Sequence, residues 1–92
     1  MIKSFRCKDT EKLFGDKRVS RIQSIEWQAR KKLLHIHAPE SLEVIGAFPG
    51  NRLEALKGNR KGQYSIRINQ QWRICFKWKD GDALDVEIVD YH

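Results

Sequence analysis

Tyr64-Ser65-Ile66-Arg67-Ile68-Asn69, then Trp72-Arg73-Ile74-Cys75-Phe76-Lys77-Trp78-Lys79, then Leu84-Asp85-Val86-Glu87-Ile88-Val89 alternate apolar and polar side chains. A period of two belongs to an extended chain, whose successive side chains point to opposite faces. Each run therefore reads as a strand with one apolar face, and the short links between them predict an antiparallel meander.

Register follows from the same alternation. For Trp78 and Leu84 to share a face, paired positions must sum to an even number. That predicts a three-residue loop with a bulge at Asp80-Gly81-Asp82 and a turn at Asn69-Gln70-Gln71. It also places Arg73 opposite Val89, one diagonal step from Tyr91, and Arg67 opposite Arg73. Like charges facing each other on a sheet are unfavourable by a few tenths to about 1 kcal/mol. An anion held between the two arginines is one account of the pair. Screening by Asp85, Glu87 or water is the other.

The first half has a different period. Ile22, Ile25, Ala29, Leu33 and Ile36 recur at intervals of three and four, giving a helix over about residues 20–37 with one apolar stripe. Ser20 and Gln23 have capping-box spacing. Before it, residues 2–7 alternate as a short first strand, and Asp9 resembles the N-cap of a helix stopped by Gly15. After it, residues 40–45 form a short helix before Gly46, and Pro49-Gly50-Asn51 signals a turn. The expected architecture is α+β: helices on one face of a small antiparallel sheet, with an open polar face opposite.

Ninety-two residues make one domain with a modest core, so residues 1–92 are read as a single unit. Hydrophobic residues make up 40% of the chain, which excludes a disordered segment. No apolar run has membrane-spanning length, and the opening residues lack a signal-peptide core, so the chain is expected in the cytosol. Cys7 and Cys75 fit reduced packing residues rather than a disulfide framework. The net charge of +6 suits an anionic partner, most often nucleic acid.

The chain ends Asp90-Tyr91-His92, placing three groups able to handle a proton at the end of a strand. Together with Asn51-Arg52-Leu53-Glu54-Ala55-Leu56-Lys57-Gly58, Gly62-Gln63-Tyr64-Ser65-Ile66-Arg67-Ile68-Asn69 and Trp72-Arg73-Ile74-Cys75-Phe76, this ending resembles the HigB branch of the RelE-type toxin superfamily. The likeness is close over residues 46–92 and looser before them. It implies an mRNA interferase of a bacterial toxin–antitoxin pair, cutting mRNA in the ribosomal A site. It also implies a co-expressed HigA-like antitoxin of helix-turn-helix type, with operator DNA reached only through that antitoxin. Some members of the branch carry a catalytic histidine where this chain has Glu54. The carboxylate either serves as a base in its place or pairs with Arg52 or Lys57.

The chemistry expected of such residues is RNA cleavage without a metal or other cofactor. The 2′-OH attacks the adjacent phosphorus, which needs a base, a stabiliser of the phosphorane and an acid for the leaving oxygen. Arg73, whose planar donor fork matches phosphate oxygens, is the stabiliser. Tyr91, His92 and Asp90 are the proton-handling candidates, with Glu54. Lys57 carries a family match to the scissile phosphate. Arg52, Arg60, Lys61 and Arg67 are candidates for gripping the RNA backbone. His35 and His37 point about 200° apart on a helix and do not have metal-ligand spacing.

Two other readings compete. One is a non-nucleolytic growth inhibitor of the gyrase-poison type found in the same superfamily, which the Tyr91-His92 ending disfavours. The other is a plain RNA-binding module, which would expose aromatics on its sheet. Here Trp72, Phe76 and Trp78 share the core face.

Overall fold

The computed structural model describes residues 1–90. The three alternating runs form the strands β2 (Gln63–Arg67), β3 (Trp72–Lys79) and β4 (Asp82–Asp90), preceded by a two-residue strand β1 (Glu54–Ala55). The sheet is antiparallel with spatial order β1-β2-β3-β4. The alternation did not reveal β1, because two residues carry no period.

The apolar face packs on helices α1 (Lys8–Phe14), α2 (Glu26–His37) and α3 (Leu42–Ala47). Ile66, Ile74, Phe76, Val86 and Ile88 meet Leu13, Ile22, Ile25, Ala29, Leu33, Ile36 and Ile45 in one core. The layered α+β architecture is the one the sequence predicts. No helix among the described residues is long and apolar enough to cross a membrane.

The helices depart from expectation in local ways. Residues 20–37 do not form one α-helix: Ser20–Ile25 is a 3₁₀ segment, with Ile22 at φ −120°, and α2 begins at Glu26. Ile22 and Ile25 are both buried, and a three-residue spacing is the one that superposes side chains on a 3₁₀ turn. Ser20 consequently lies inside that segment rather than capping it. Asp9 is likewise a residue of α1, whose N-cap position is Cys7, and it pairs with Arg21 at 3.1 Å. Gly15 ends α1 as expected, but the left-handed residue is Asp16, at φ +68°. The short third helix begins two residues later than expected, where Ser41 Oγ accepts from Val44 N.

Residues 2–7 form two isolated parallel bridges to β4, Ile2 to Ala83 and Phe5 to Val86, rather than a continuous strand. Between them Asp85 N donates to Ser4 Oγ, so a side chain takes the place of a ladder carbonyl. The N-terminal segment thus flanks β4 and closes the edge opposite β1.

The β3–β4 hairpin turns on two residues, not three. Asp80 and Gly81 both have positive φ, +52° and +84°, as the tight primed turns require. The extra residue predicted for the loop sits inside the ladder instead. From Cys75–Glu87 to Lys77–Leu84, β3 advances two residues and β4 three, making a bulge at Asp85 and Val86. Asp85 takes φ +52° there. Ala83, not Leu84, therefore faces the core. Beyond the bulge the expected register holds: Arg73 pairs with Val89 and Arg67 with Arg73.

The left-handed backbone at Asp85 disfavours branched side chains by about 1–2 kcal/mol. Asp85→Val should lower the unfolding free energy by that amount relative to Asp85→Gly. Urea titration of the two variants measures the difference, and equal midpoints would mean the bulge lies elsewhere.

Candidate active site

The polar face of the sheet is organised around Arg73. It is the second residue of β3 and is only 8% exposed. A cation can be held there because its neighbours satisfy it. Nε donates to Ser65 Oγ on β2 at 2.8 Å. Nη2 donates to the carbonyl of Arg52 at 2.8 Å, and the Glu54 carboxylate lies 3.9 Å away. Pairing of Glu54 with Ser65 brings the β1 edge to this position. Arg52 adopts φ +46°, turning its carbonyl inward while its side chain stays in solvent.

Two carboxylates expected to screen the facing arginines are engaged elsewhere. Asp85 pairs with Lys77 at 3.4 Å, and Glu87 with Arg60 at 3.2 Å. The arginines themselves diverge: Arg67 Nε turns to the carbonyl of Asn69 at 3.1 Å, while Arg73 turns toward β1. Glu54, expected either as a base or as a partner of Arg52 or Lys57, has Arg73 as its ion-pair partner.

The basic loop divides in two. Lys57 and Lys61 are exposed around the 3₁₀ turn Gly58–Arg60. Arg60 instead folds back, donating to Gln63 Oε1 and reaching Glu87 on β4. Cys75 lies buried on the same face, and burial raises its thiol pKa. Both cysteines are free. Glu54, Ala55, Leu56, Lys57, Asn59 and Arg60 line an open groove of about 430 Å³, which shares Glu54 with the Arg73 site.

Asp90 pairs with Trp72 across the ladder and accepts from Gln71 Nε2 at 3.2 Å, so it stands one residue along from the Arg73–Val89 pair. Tyr91 and His92 lie outside the described residues. Among the sequence candidates, the fold thus gathers Arg73, Glu54 and the Arg52 backbone closely. It places Lys57 on the adjoining groove, Asp90 and Arg67 on the flank, and ties Arg60 into the sheet.

Neither Ser65 nor Asn51 stands out in the sequence as a site residue; Asn51 reads only as part of the Pro49-Gly50-Asn51 turn. Ser65 has the polar parity of β2, a signal that it shares Arg73's face. Asn51 has no such signal, since only the fold shows that it is buried.

His35 and His37 serve packing. His37 Nδ1 accepts from Ile2 N, and its ring meets Phe14 at 5.1 Å. His35 stacks on Phe48 with centroids 4.0 Å apart. Among the described residues no three His, Cys, Asp or Glu side chains converge as a metal site. Burial lowers the His35 pKa from 6.5; the Asn51 contact opposes this, and Lys32 and Lys31 add to it. The folded state thus favours neutral imidazole. The stability this contributes is full above pH 6.5 and is lost as pH falls below it, because the unfolded chain takes up the proton first. His35→Gln should therefore flatten the acid-side fall of the urea midpoint. An unchanged slope below pH 6.5 would rule His35 out as its source.

The helix-backed antiparallel sheet is a RelE-like α+β fold. A solved chain from the YoeB-YefM complex from Staphylococcus aureus has this architecture, with a TM-score of 0.59 at 20% identity. The likeness covers 100% of this chain and 98% of that one.

The sequence model described as the RelE-like toxin of type II toxin-antitoxin system HigB matches residues 3–92, and the chain belongs to this HigB-like toxin family. Its relatives include Toxin HigB-1 of Vibrio cholerae serotype O1, 39% identical over 87 residues and covering 92% of both chains. Another is Endoribonuclease HigB of Proteus vulgaris, 33% identical over 94 residues and covering 100% of both.

Proposed function

We propose that this HigB-family toxin is an endoribonuclease that cuts mRNA on the ribosome by 2′-OH transphosphorylation. The observation that carries the reading is Arg73: a guanidinium nine-tenths buried, oriented by Ser65 and Arg52, with a carboxylate beside it. That is a preorganised donor for charge that develops on a phosphorane. The activity named for the Proteus vulgaris relative agrees with it.

In the proposed step the 2′-oxygen attacks phosphorus as a base takes its proton. The P–O5′ bond then breaks, and an acid protonates the leaving oxygen, giving a 2′,3′-cyclic phosphate and a 5′-OH. Side chains alone carry this sequence. Arg73 stabilises the equatorial oxygens. In this reading Glu54 acts as the base, while Tyr91, His92 and Asp90 share the remaining proton transfer. Lys57 approaches the scissile phosphate across the groove. Arg52, Lys61 and Arg67 meet the flanking backbone, with Arg60 joining them only if its tie to Glu87 opens. The family implies an antitoxin partner. In this reading it is a HigA-like helix-turn-helix protein, and the toxin works in the cytoplasm.

Mapping of 5′ ends after brief induction tests the reading. Cuts clustered within codons of translated messages, carrying 5′-OH ends and absent from ribosome-free RNA, are the expected result. Growth arrest without new 5′ ends would replace it with a non-nucleolytic inhibitor.

A further inference from the structure

Asn51 joins three elements to the arginine site. It is fully buried, with 0% exposure. Its Nδ2 donates to the carbonyl of Ile45 in α3 at 2.8 Å. Its Oδ1 accepts from Lys32 Nζ of α2 at 2.6 Å and meets His35 Nδ1 at 3.4 Å. Its backbone carbonyl accepts from Arg67 N of β2 at 2.6 Å, and its own N–H donates to Phe48 O at 3.2 Å. The very next residue is Arg52, at φ +46°, whose carbonyl receives Arg73 Nη2.

That sequence of contacts has a direction. The left-handed conformation at Arg52 is one that residues with a Cβ rarely adopt, so something on either side must hold it. On one side the chain enters β1; on the other it is pinned by Asn51. An amide suits the position because it must donate to Ile45 and accept from an ammonium at once. Aspartate offers no donor for the first contact, and alanine makes neither.

We infer that Asn51 is a positioning residue for Arg73: it fixes the Arg52 turn, and so sets the carbonyl that orients the guanidinium plane. The inference deepens the proposed function, resting on Arg73 as the phosphorane stabiliser. Displacing a catalytic group by as little as about 1 Å can cost 10²-fold in rate.

The test compares Asn51→Ala and Asn51→Asp with Thr10→Ala. Thr10 is also fully buried, and its Oγ accepts from Ile88 N, so its loss weakens the fold without touching Arg52. Two quantities are read on the whole chain. One is rotation about the Arg73 Nε–Cζ bond, from nitrogen-15 NMR of the arginine side chains. The other is single-turnover cleavage of ribosome-bound mRNA.

The expected result is faster Nε–Cζ rotation in both Asn51 variants, with cleavage down by about 10- to 100-fold and RNA affinity little changed. Thr10→Ala should keep the parent's rotation rate. If Asn51→Ala does not fold, the isosteric Asn51→Asp carries the test. Rotation and cleavage matching Thr10→Ala would overturn the inference. So would faster rotation with parental cleavage, provided Arg73→Ala has lost activity. If Arg73→Ala itself cleaves normally, the catalytic reading of Arg73 fails first and takes the positioning role with it.

Discussion

Arg73→Ala should reduce the single-turnover cleavage rate by about 10²- to 10³-fold, corresponding to about 3–4 kcal/mol of barrier. Removing a preorganised donor costs this much because water refilling the site must reorient as charge develops, whereas the guanidinium is already aligned. The variant should stay folded. The side chain is satisfied by Ser65 Oγ and the Arg52 carbonyl, which open to solvent once it is gone. Arg73→Lys keeps the charge but not the planar fork. It cannot bond both acceptors and also present two parallel donors to phosphate, so it should recover only part of the loss. The decisive comparison is the 5′-end map of parent and Arg73→Ala at matched expression. Unchanged cuts and unchanged growth arrest would remove Arg73 from the site.

The largest stability effect should come from the other face of the same strand. Phe76 is fully buried and holds Tyr64 and Trp78 at centroid distances of 6.2 and 6.4 Å. It also stands opposite the bulge, where β4 makes three steps to two of β3 and cannot close a cavity by sliding. Phe76→Ala should therefore cost about 3–5 kcal/mol. Domains are stable by only about 5–15 kcal/mol, and one of this size lies toward the lower end. A large drop in the urea midpoint, with the slope unchanged, is the expected observation. A loss under about 1.5 kcal/mol would mean that the core repacks freely around the ring.

Much of this was legible in the sequence. Alternation placed β2, β3 and β4 and their apolar face, and parity arithmetic paired Arg67 with Arg73 and Arg73 with Val89. The arithmetic succeeded even though its loop was misplaced. Any single extra residue between Lys79 and Glu87 restores the same register, and parity cannot say where that residue sits. Parity argues against the two-residue turn that the Asp80-Gly81 pair favours, and the bulge further along β4 removes that objection.

The helix break at Ile22 was hidden because spacings of three fit both α and 3₁₀ periods. At the site, residue types suggested Arg73 and Glu54 separately. Their meeting depends on β1, a strand of two residues with no pattern to read. Asn51 and Ser65 act through burial and hydrogen bonds made across the fold, which local sequence does not encode.

The N-terminal bridges have a consequence for how the chain is made. Ile2 docks against Ala83 and Phe5 against Val86, while Thr10 bonds the backbone of Ile88. Residues 2–10 therefore wait during synthesis for partners 78 or more positions further along the chain. Helices can form early, but the sheet cannot be finished while residues 83–88 remain inside the exit tunnel. The sheet that carries Arg73 is therefore closed on its β4 side only after residues 83–88 have cleared the tunnel.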